Sequence, residues 1–420
     1  MKEHKVAHRL SRRHFLVGLG AAAGVSLLQS CRLGEFIAGI RDNTPVPTFV
    51  STSIRPSPSA AGTPSPSVSP TQAPSPSPSP TPTITPTPVH TPTPTLTPTP
   101  TPTPYPPGPP SKLGIFTTRS DPQITRLIEM GRPALLKTLD LDPNLGRFAK
   151  THSPTTIVIG RIMLDQVDLT ADPIPLARQV AAQLLQLALD PTRFEFYDAW
   201  EGYNEPVADT VDKMKRLADL EAERTRLLGE QGVRSVVGNF AAGHPPLELW
   251  EHFKPALEAA RQYKGFLGLH EYSAPIMQWG FGALQSTPGS NEGDEGWLTL
   301  RYRKAYRYHL KPMGYGNLPL LITECGVDGT VQPRPGPPEA KGWHDFELYW
   351  YSNGLRNDMP GVYMDQLIWY DSELQKDDYV KGAAIFVAGG SSEWESYDIL
   401  GRTIELLTQY LSVHPPEQKS

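Results

Sequence analysis

Two glutamates in this chain stand where carboxyl chemistry is useful. Glu205 falls in Trp200-Glu201-Gly202-Tyr203-Asn204-Glu205-Pro206, and Glu324 closes the run Leu320-Leu321-Ile322-Thr323-Glu324. Displacement at an acetal carbon needs one carboxylic acid to protonate the departing oxygen. A second carboxylate attacks the carbon, and the two lie about 5–5.5 Å apart when configuration is retained. Each glutamate also has a plainer reading. Asn204-Glu205-Pro206 suits the acidic start of a helix whose first residue is Pro206, and Glu324 suits a structural ion pair. The chemical reading requires a fold that brings the two together.

The elements that could do so form one repeated pattern. Short apolar runs rich in β-branched and aromatic residues alternate with helical periodicity. The runs are Leu113 to Thr117, Ala134 to Thr138, Thr156 to Arg161, Phe194 to Trp200, Ser235 to Asn239, Phe266 to His270, Leu320 to Glu324 and Ala383 to Val387. The intervening helices are expected over Ile174 to Leu189, Val207 to Leu228, Leu247 to Tyr263, Gly296 to Leu310 and Asp345 to Asn357, with Arg402 to Leu411 closing the chain. Eight βα units predict an α/β fold, a (β/α)8 TIM barrel over residues 111–412. A nucleotide-binding open sheet would carry a Gly-rich turn after its first strand, where this chain has Thr117-Thr118-Arg119-Ser120.

Barrel chemistry collects at the C-terminal strand ends. These present Lys137 with Asp140, Arg161, Trp200 with Asn204 and Glu205, Asn239, His270 with Glu271 and Tyr272, Glu324, and the loop bearing Trp394. Asn204-Glu205-Pro206 after the fourth strand and Thr323-Glu324 at the seventh resemble the retaining barrel glycoside hydrolases of clan A, over roughly residues 112–412. The resemblance implies that Glu205 is the acid/base, Glu324 the nucleophile, and Asn204 a donor to the sugar 2-hydroxyl. His270-Glu271-Tyr272 is similar to that superfamily's His-x-Tyr, which implies a Tyr272 hydroxyl bonded to the nucleophile. Many members carry Arg near the second strand's end and Trp at the eighth. This chain has Lys137-Thr138 and Ala388-Gly389-Gly390 there, so Arg161 is the expected cation and Trp394 the expected sugar platform. The candidate substrate contacts are thus Asn204, His270, Tyr272, Trp200, Arg161, Lys137, Asn239 and Trp394.

Other assignments remain open. Asp198, Glu201 or Glu271 could do the work of another barrel hydrolase or lyase, or the barrel could be a silent glycan-binding or scaffold protein of the envelope. Two of Trp200, Trp279, Trp297, Trp343 and Trp394 are expected to stack on sugar. Cys325, one position past Glu324, is expected on the opposite strand face as a small buried hydrophobe. No histidine or cysteine spacing suits a metal site, no Gly-x-Ser-x-Gly elbow suits a serine hydrolase, and no cofactor is expected. Loops from Tyr272 to Glu295, including Phe281, and from Cys325 to His344, with its Pro333 to Pro338 turn, are expected to wall the site.

The rest of the chain reads as address and spacer. Arg12-Arg13 precede an uncharged run from Phe15 to Leu28, too short for a membrane span of about 20 residues and similar to a twin-arginine export signal. Leu28-Gln29-Ser30-Cys31 resembles a lipobox, which implies lipidation at Cys31. An uncleaved anchor is the alternative for residues 1–31. Residues 32–110 form a Pro/Ser/Thr-rich linker; between Pro45 and Pro110 lie 24 of the chain's 46 prolines and one charge, Arg55. Such a segment cannot bury a core and favours extended polyproline II. Residues 413–420 read as a tail. From residue 111 onward, 31 Lys/Arg face 41 Asp/Glu, which argues against nucleic acid and suits a neutral or cationic ligand; the resemblance to glycoside hydrolases implies a carbohydrate partner. The expected state is an exported, surface or extracellular monomer that meets the membrane only through a lipid.

Overall fold

In a computed structural model the described residues are 105–139, 142–278, 294–332 and 334–416. The signal-like segment with Cys31, nearly all of the linker, Asp140, Trp279, Phe281, Pro333 and the last four residues lie outside them. Eight parallel strands close into a barrel in chain order. They are β1 (Leu113–Thr117), β2 (Leu135–Thr138), β3 (Ile157–Gly160), β4 (Ala199–Glu201), β5 (Ser235–Phe240), β6 (Phe266–Ser273), β7 (Leu320–Val327) and β8 (Val380–Ala388). Register Leu113↔Ala383 through Phe116↔Phe386 joins β1 to β8. The expected (β/α)8 architecture is the observed one.

Around the barrel run α1 (Pro122–Arg126, continued by a π turn Leu127–Gly131), α2 (Pro143–His152), α3 (Pro173–Ala188), α4 (Val211–Gly229) and α5 (Lys254–Gln262). They are followed by α6 (Arg301–Lys304, continued by a π turn Ala305–Leu310), α7 (Glu347–Ser352), α8 (Met359–Leu374) and α9 (Arg402–Ser412). Aspartate directly before proline starts several of them. Asp121, Asp142 and Asp172 each accept a backbone N–H of the first turn while proline fills the position that needs no donor.

Several boundaries depart from expectation for local reasons. The fourth strand is shorter than Phe194 to Trp200, because Asp190 caps a helical turn Pro191–Phe194. Pro206 does not open a helix; Thr210 caps the Lys213 N–H and α4 starts at Val211. Leu247 to Phe253 is a 3-10 segment ahead of α5. Helix α6 begins at Arg301 rather than Gly296, after Leu300 takes a left-handed turn at φ 60°. The helix expected over Asp345 to Asn357 ends at Ser352, and a further helix not expected from the sequence, α8, follows from Met359; its apolar residues cover most of its circumference, so no stripe marks it in the sequence.

Two apolar layers result. Phe116, Leu135, Ile159, Ala199, Val236, Leu321, Ala384 and Phe386 fill the barrel, and a larger cluster lies between strands and helices. Where β5, β6 and β7 reach the mouth the alternation breaks, with register shifts at Gly238/Phe240, Leu269/His270 and Ile322/Cys325. A bulge places two successive residues on one face. Asn239, Thr323 and Glu324 acquire their directions there, and Cys325 joins the outer layer, fully buried. Beyond the bulge β6 and β7 stay paired through Ser273↔Val327, so the loops start later than expected. Among the described residues no helix is long and apolar enough to cross a membrane.

Candidate active site

Glu324 occupies the centre of the mouth. Its Oε1 accepts from Lys137 Nζ at 3.0 Å and Arg161 Nη1 at 3.3 Å, and its Oε2 accepts from the Tyr272 hydroxyl at 2.8 Å. Burial, the largest influence, would raise the pKa of this carboxyl. The facing His270, the Lys137 ammonium, the Arg161 guanidinium and the Tyr272 hydroxyl together outweigh it and hold the group well below the ordinary carboxylate range. Glu324 is therefore ionised at neutral pH.

Glu205 comes to it from the β4 loop. It takes a left-handed backbone, φ 47°, and its N–H donates to the Asn239 carbonyl at 3.0 Å. Its Oε1 lies 2.9 Å from His270 Nδ1, which is also 3.5 Å from Glu324 Oε2. One carboxylate oxygen each of Glu205 and Glu324 and one ring nitrogen of His270 lie within 4.8 Å of one another. That is close to the retaining spacing and well inside the about 6.5–9.5 Å of inverting pairs. The Glu205 side chain is 19% exposed and that of Glu324 2%, so Glu205 is the member that meets solvent.

The other expected contacts divide into three groups. His270, Tyr272 and Arg161 touch the glutamates directly, and Asn204 stands half-buried beside Glu205 with its Oδ1 lacking a donor. Trp394 is half-buried in the inner cluster, its ring 5.4 Å from Phe386, which in turn lies 6.3 Å from Tyr272. Lys137 and Asn239 are fully enclosed and serve from below rather than as substrate contacts. The Asn239 carbonyl holds Glu205, while its Oδ1 accepts from Thr323 Oγ1 at 3.2 Å, so one residue braces the neighbourhoods of both glutamates. Gly268 leaves the space for that side chain; a Cβ there would meet Asn239 Oδ1 at 2.2 Å.

Trp200 is a correction. It points to the outer face of β4, stacks on Tyr197 at 5.0 Å and packs over Gly160, so it belongs to the core and not to a sugar platform. Trp343 is likewise buried, stacked on Tyr363, and Trp297 lies beside Arg301 and Lys304. Asp198 is held by Lys150 and Arg234 before β4 begins, at the end opposite the mouth. Glu271 faces outward and accepts from Leu300 N, Tyr302 N and the Tyr370 hydroxyl. Burial pushes it up to about 7 against those donors.

Two features escape sequence reasoning. Phe386, at the end of β8, and Phe116, whose ring carries Lys137 Nζ at 4.6 Å, line the floor of the mouth. In the sequence they are ordinary strand aromatics; only their inward period-2 position marks them. Glu205, His270 and Glu324 are also close enough to suggest a cation site. Two cationic side chains already occupy Glu324 Oε1, and their charge opposes a metal ion at the same oxygens.

Fold and mouth together define a (β/α)8 barrel in which a glutamate of the loop after β4 and a glutamate of β7 meet at the mouth. No family model and no curated protein matches the sequence. Among solved structures it is similar to a β-glucuronidase from Ruminococcus gnavus, with 12% identity, TM-score 0.42, and coverage of 72% of this chain and 50% of that one. It is also similar to a GH128 subgroup II endo-β-1,3-glucanase from Pseudomonas viridiflava, with 14% identity, TM-score 0.36, and coverage of 72% and 97%. A third is CJP38, a β-1,3-glucanase and allergen of Cryptomeria japonica pollen, with 12% identity, TM-score 0.42, and coverage of 69% and 94%. The chain spans about half the length of the β-glucuronidases it matches. At these scores the likeness concerns the barrel alone.

Proposed function

We propose that the protein is a retaining O-glycosyl hydrolase acting on a β-linked oligo- or polysaccharide. The observation that carries this is the carboxylate pair, with oxygens within 4.8 Å of each other and one member buried among cations. Glu324, kept ionised by Lys137, Arg161 and Tyr272, attacks the anomeric carbon. Glu205 gives its proton to the departing oxygen. Water then attacks the glycosyl ester, loses a proton to Glu205 and frees Glu324. His270 Nδ1 holds the Glu205 carboxyl through both steps, and the Asn204 side chain serves the sugar 2-hydroxyl. Trp394 and Phe386 offer aromatic faces to the ring's C–H surface. With the signal-like N-terminus, the reading extends to an exported enzyme anchored through Cys31.

The enclosure of Glu324, 2% exposed, favours a second reading, a barrel that binds glycan without turnover. One experiment separates them. Incubation with 2,4-dinitrophenyl 2-deoxy-2-fluoro-β-D-glycosides of glucose, galactose, mannose and xylose, followed by peptide mass mapping, should place a glycosyl ester on Glu324. Glu324→Gln should abolish hydrolysis of the parent glycosides while the protein still folds, seen as one cooperative unfolding transition at a lowered melting temperature, since Lys137 and Arg161 lose the carboxylate they share. Near-wild-type turnover by that variant would end the proposal.

A further inference from the structure

Glu201 is a buried carboxylate of the barrel wall, beside Lys137, that this mechanism leaves without a task. It ends β4 with its side chain wholly enclosed, its Oε2 3.0 Å from Lys137 Nζ. The same ammonium stands 3.0 Å from Glu324 Oε1, so one buried cation bridges two carboxylates. Among the described residues Lys137 is the only cation paired with Glu201, whereas Glu324 also has Arg161. Glu201 cannot reach a substrate from its enclosed position. Its influence on the reaction must pass through Lys137.

The charge count changes during double displacement, and this gives the bridge a use. When a Glu324 oxygen bonds to the anomeric carbon, the leaving oxygen departs with the Glu205 proton and the carboxylate becomes a neutral ester. Lys137 would then be a buried, unpaired cation if Glu201 were absent, which is a costly state. When water cleaves the ester and its proton passes to Glu205, Glu324 leaves again as an anion and reclaims a share of the ammonium.

Resting on the glycosidase reading, we propose that Glu201 is a positioning residue that divides the Lys137 charge with Glu324. This division keeps the nucleophile basic enough to attack and keeps Lys137 paired while Glu324 is esterified.

The test is Glu201→Gln, read one step at a time. A neutral amide leaves the whole ammonium charge to Glu324, making it a weaker nucleophile and a better leaving group. Inactivation by the best-accepted 2,4-dinitrophenyl 2-deoxy-2-fluoro-β-D-glycoside, which reports attack, should slow by about tenfold. Reactivation of the purified glycosyl-enzyme, which reports departure, should stay constant or quicken. A defect that merely loosens the site slows both, and equal slowing or no change in either would overturn the proposal. Should Glu201→Gln not fold, Glu201→Asp keeps the charge one methylene further away and must show the same split at smaller size. Wild-type protein that no such glycoside labels would refute the glycosidase reading, and this inference with it. A labelled wild type with an unsplit variant refutes the inference alone.

Discussion

At the scale of single residues, the site is a set of donors arranged around one carboxylate. The Tyr272 hydroxyl is the neutral member of that set, 2.8 Å from Glu324 Oε2. A donor to the ionised form lowers a carboxyl pKa, so removing it raises the pKa. Tyr272→Phe should therefore move the acid limb of the kcat/KM profile to higher pH. An acid limb that does not move would show that Tyr272 only fills space. Lys137 differs in kind: wholly buried over the Phe116 face, it meets no solvent, and its effect on chemistry is electrostatic.

At the scale of elements, the bulged ends of β5, β6 and β7 aim the side chains. Asn239 lies at the first bulge with φ 47°, a left-handed conformation that an ordinary L-residue adopts at a cost of about 1–2 kcal/mol. Asparagine tolerates it and adds the Thr323 contact. Asn239→Gly keeps the backbone and loses the side chain, whereas Asn239→Ala loses both advantages. Chemical denaturation should place the alanine variant about 1 kcal/mol below the glycine variant. Both should lower kcat, since both free Thr323 beside Glu324. Equal stability of the two would remove the backbone part of this account. Glu271 works from the other face of β6, tying Leu300 and Tyr302 at the start of α6 and Tyr370 of α8 to the strand that carries His270 and Tyr272.

At the scale of the molecule, two buried glutamates give stability opposite pH dependences. Glu324 has a folded pKa below the 4.5 of the unfolded chain. Its contribution is complete above that value and is lost as pH falls through the depressed folded one. Glu271, pushed from 4.5 up to about 7, binds more protons in the folded state between those values. Its contribution is complete below about pH 4.5 and is lost as pH rises through about 7. Melting temperatures of wild type and Tyr370→Phe, measured between pH 4 and 8, should diverge. The variant removes a donor to the Glu271 carboxylate, so its loss of stability on raising pH should be the steeper; parallel curves would exclude this origin. At the closed end the incoming chain is also fastened. Gly108 N and Ser111 N donate to Val413 and His414 carbonyls, and Asp371 accepts from Lys112 N and the Tyr410 hydroxyl.

What the chain declares locally is the repeat of eight apolar runs, each followed by helical or loop sequence, and Asn204-Glu205 and Thr323-Glu324 at the ends of the fourth and seventh. Strand periodicity and strand ends are short-range properties, so the barrel and the two glutamates are legible without coordinates. Which way a side chain points at a strand end is not, because one bulge reverses every direction beyond it and the bulge depends on the register of a neighbour far away in sequence. That is why Asn239, at the bulge of β5, reads as a contact and is a brace. Trp200 lies on a regular stretch of β4 and falls in the outer core because its parity is opposite to that of inward-facing Ala199, which only closure of the barrel assigns. The bridge from Glu201 through Lys137 to Glu324 joins three different strands. Only closure of the barrel brings them to one point.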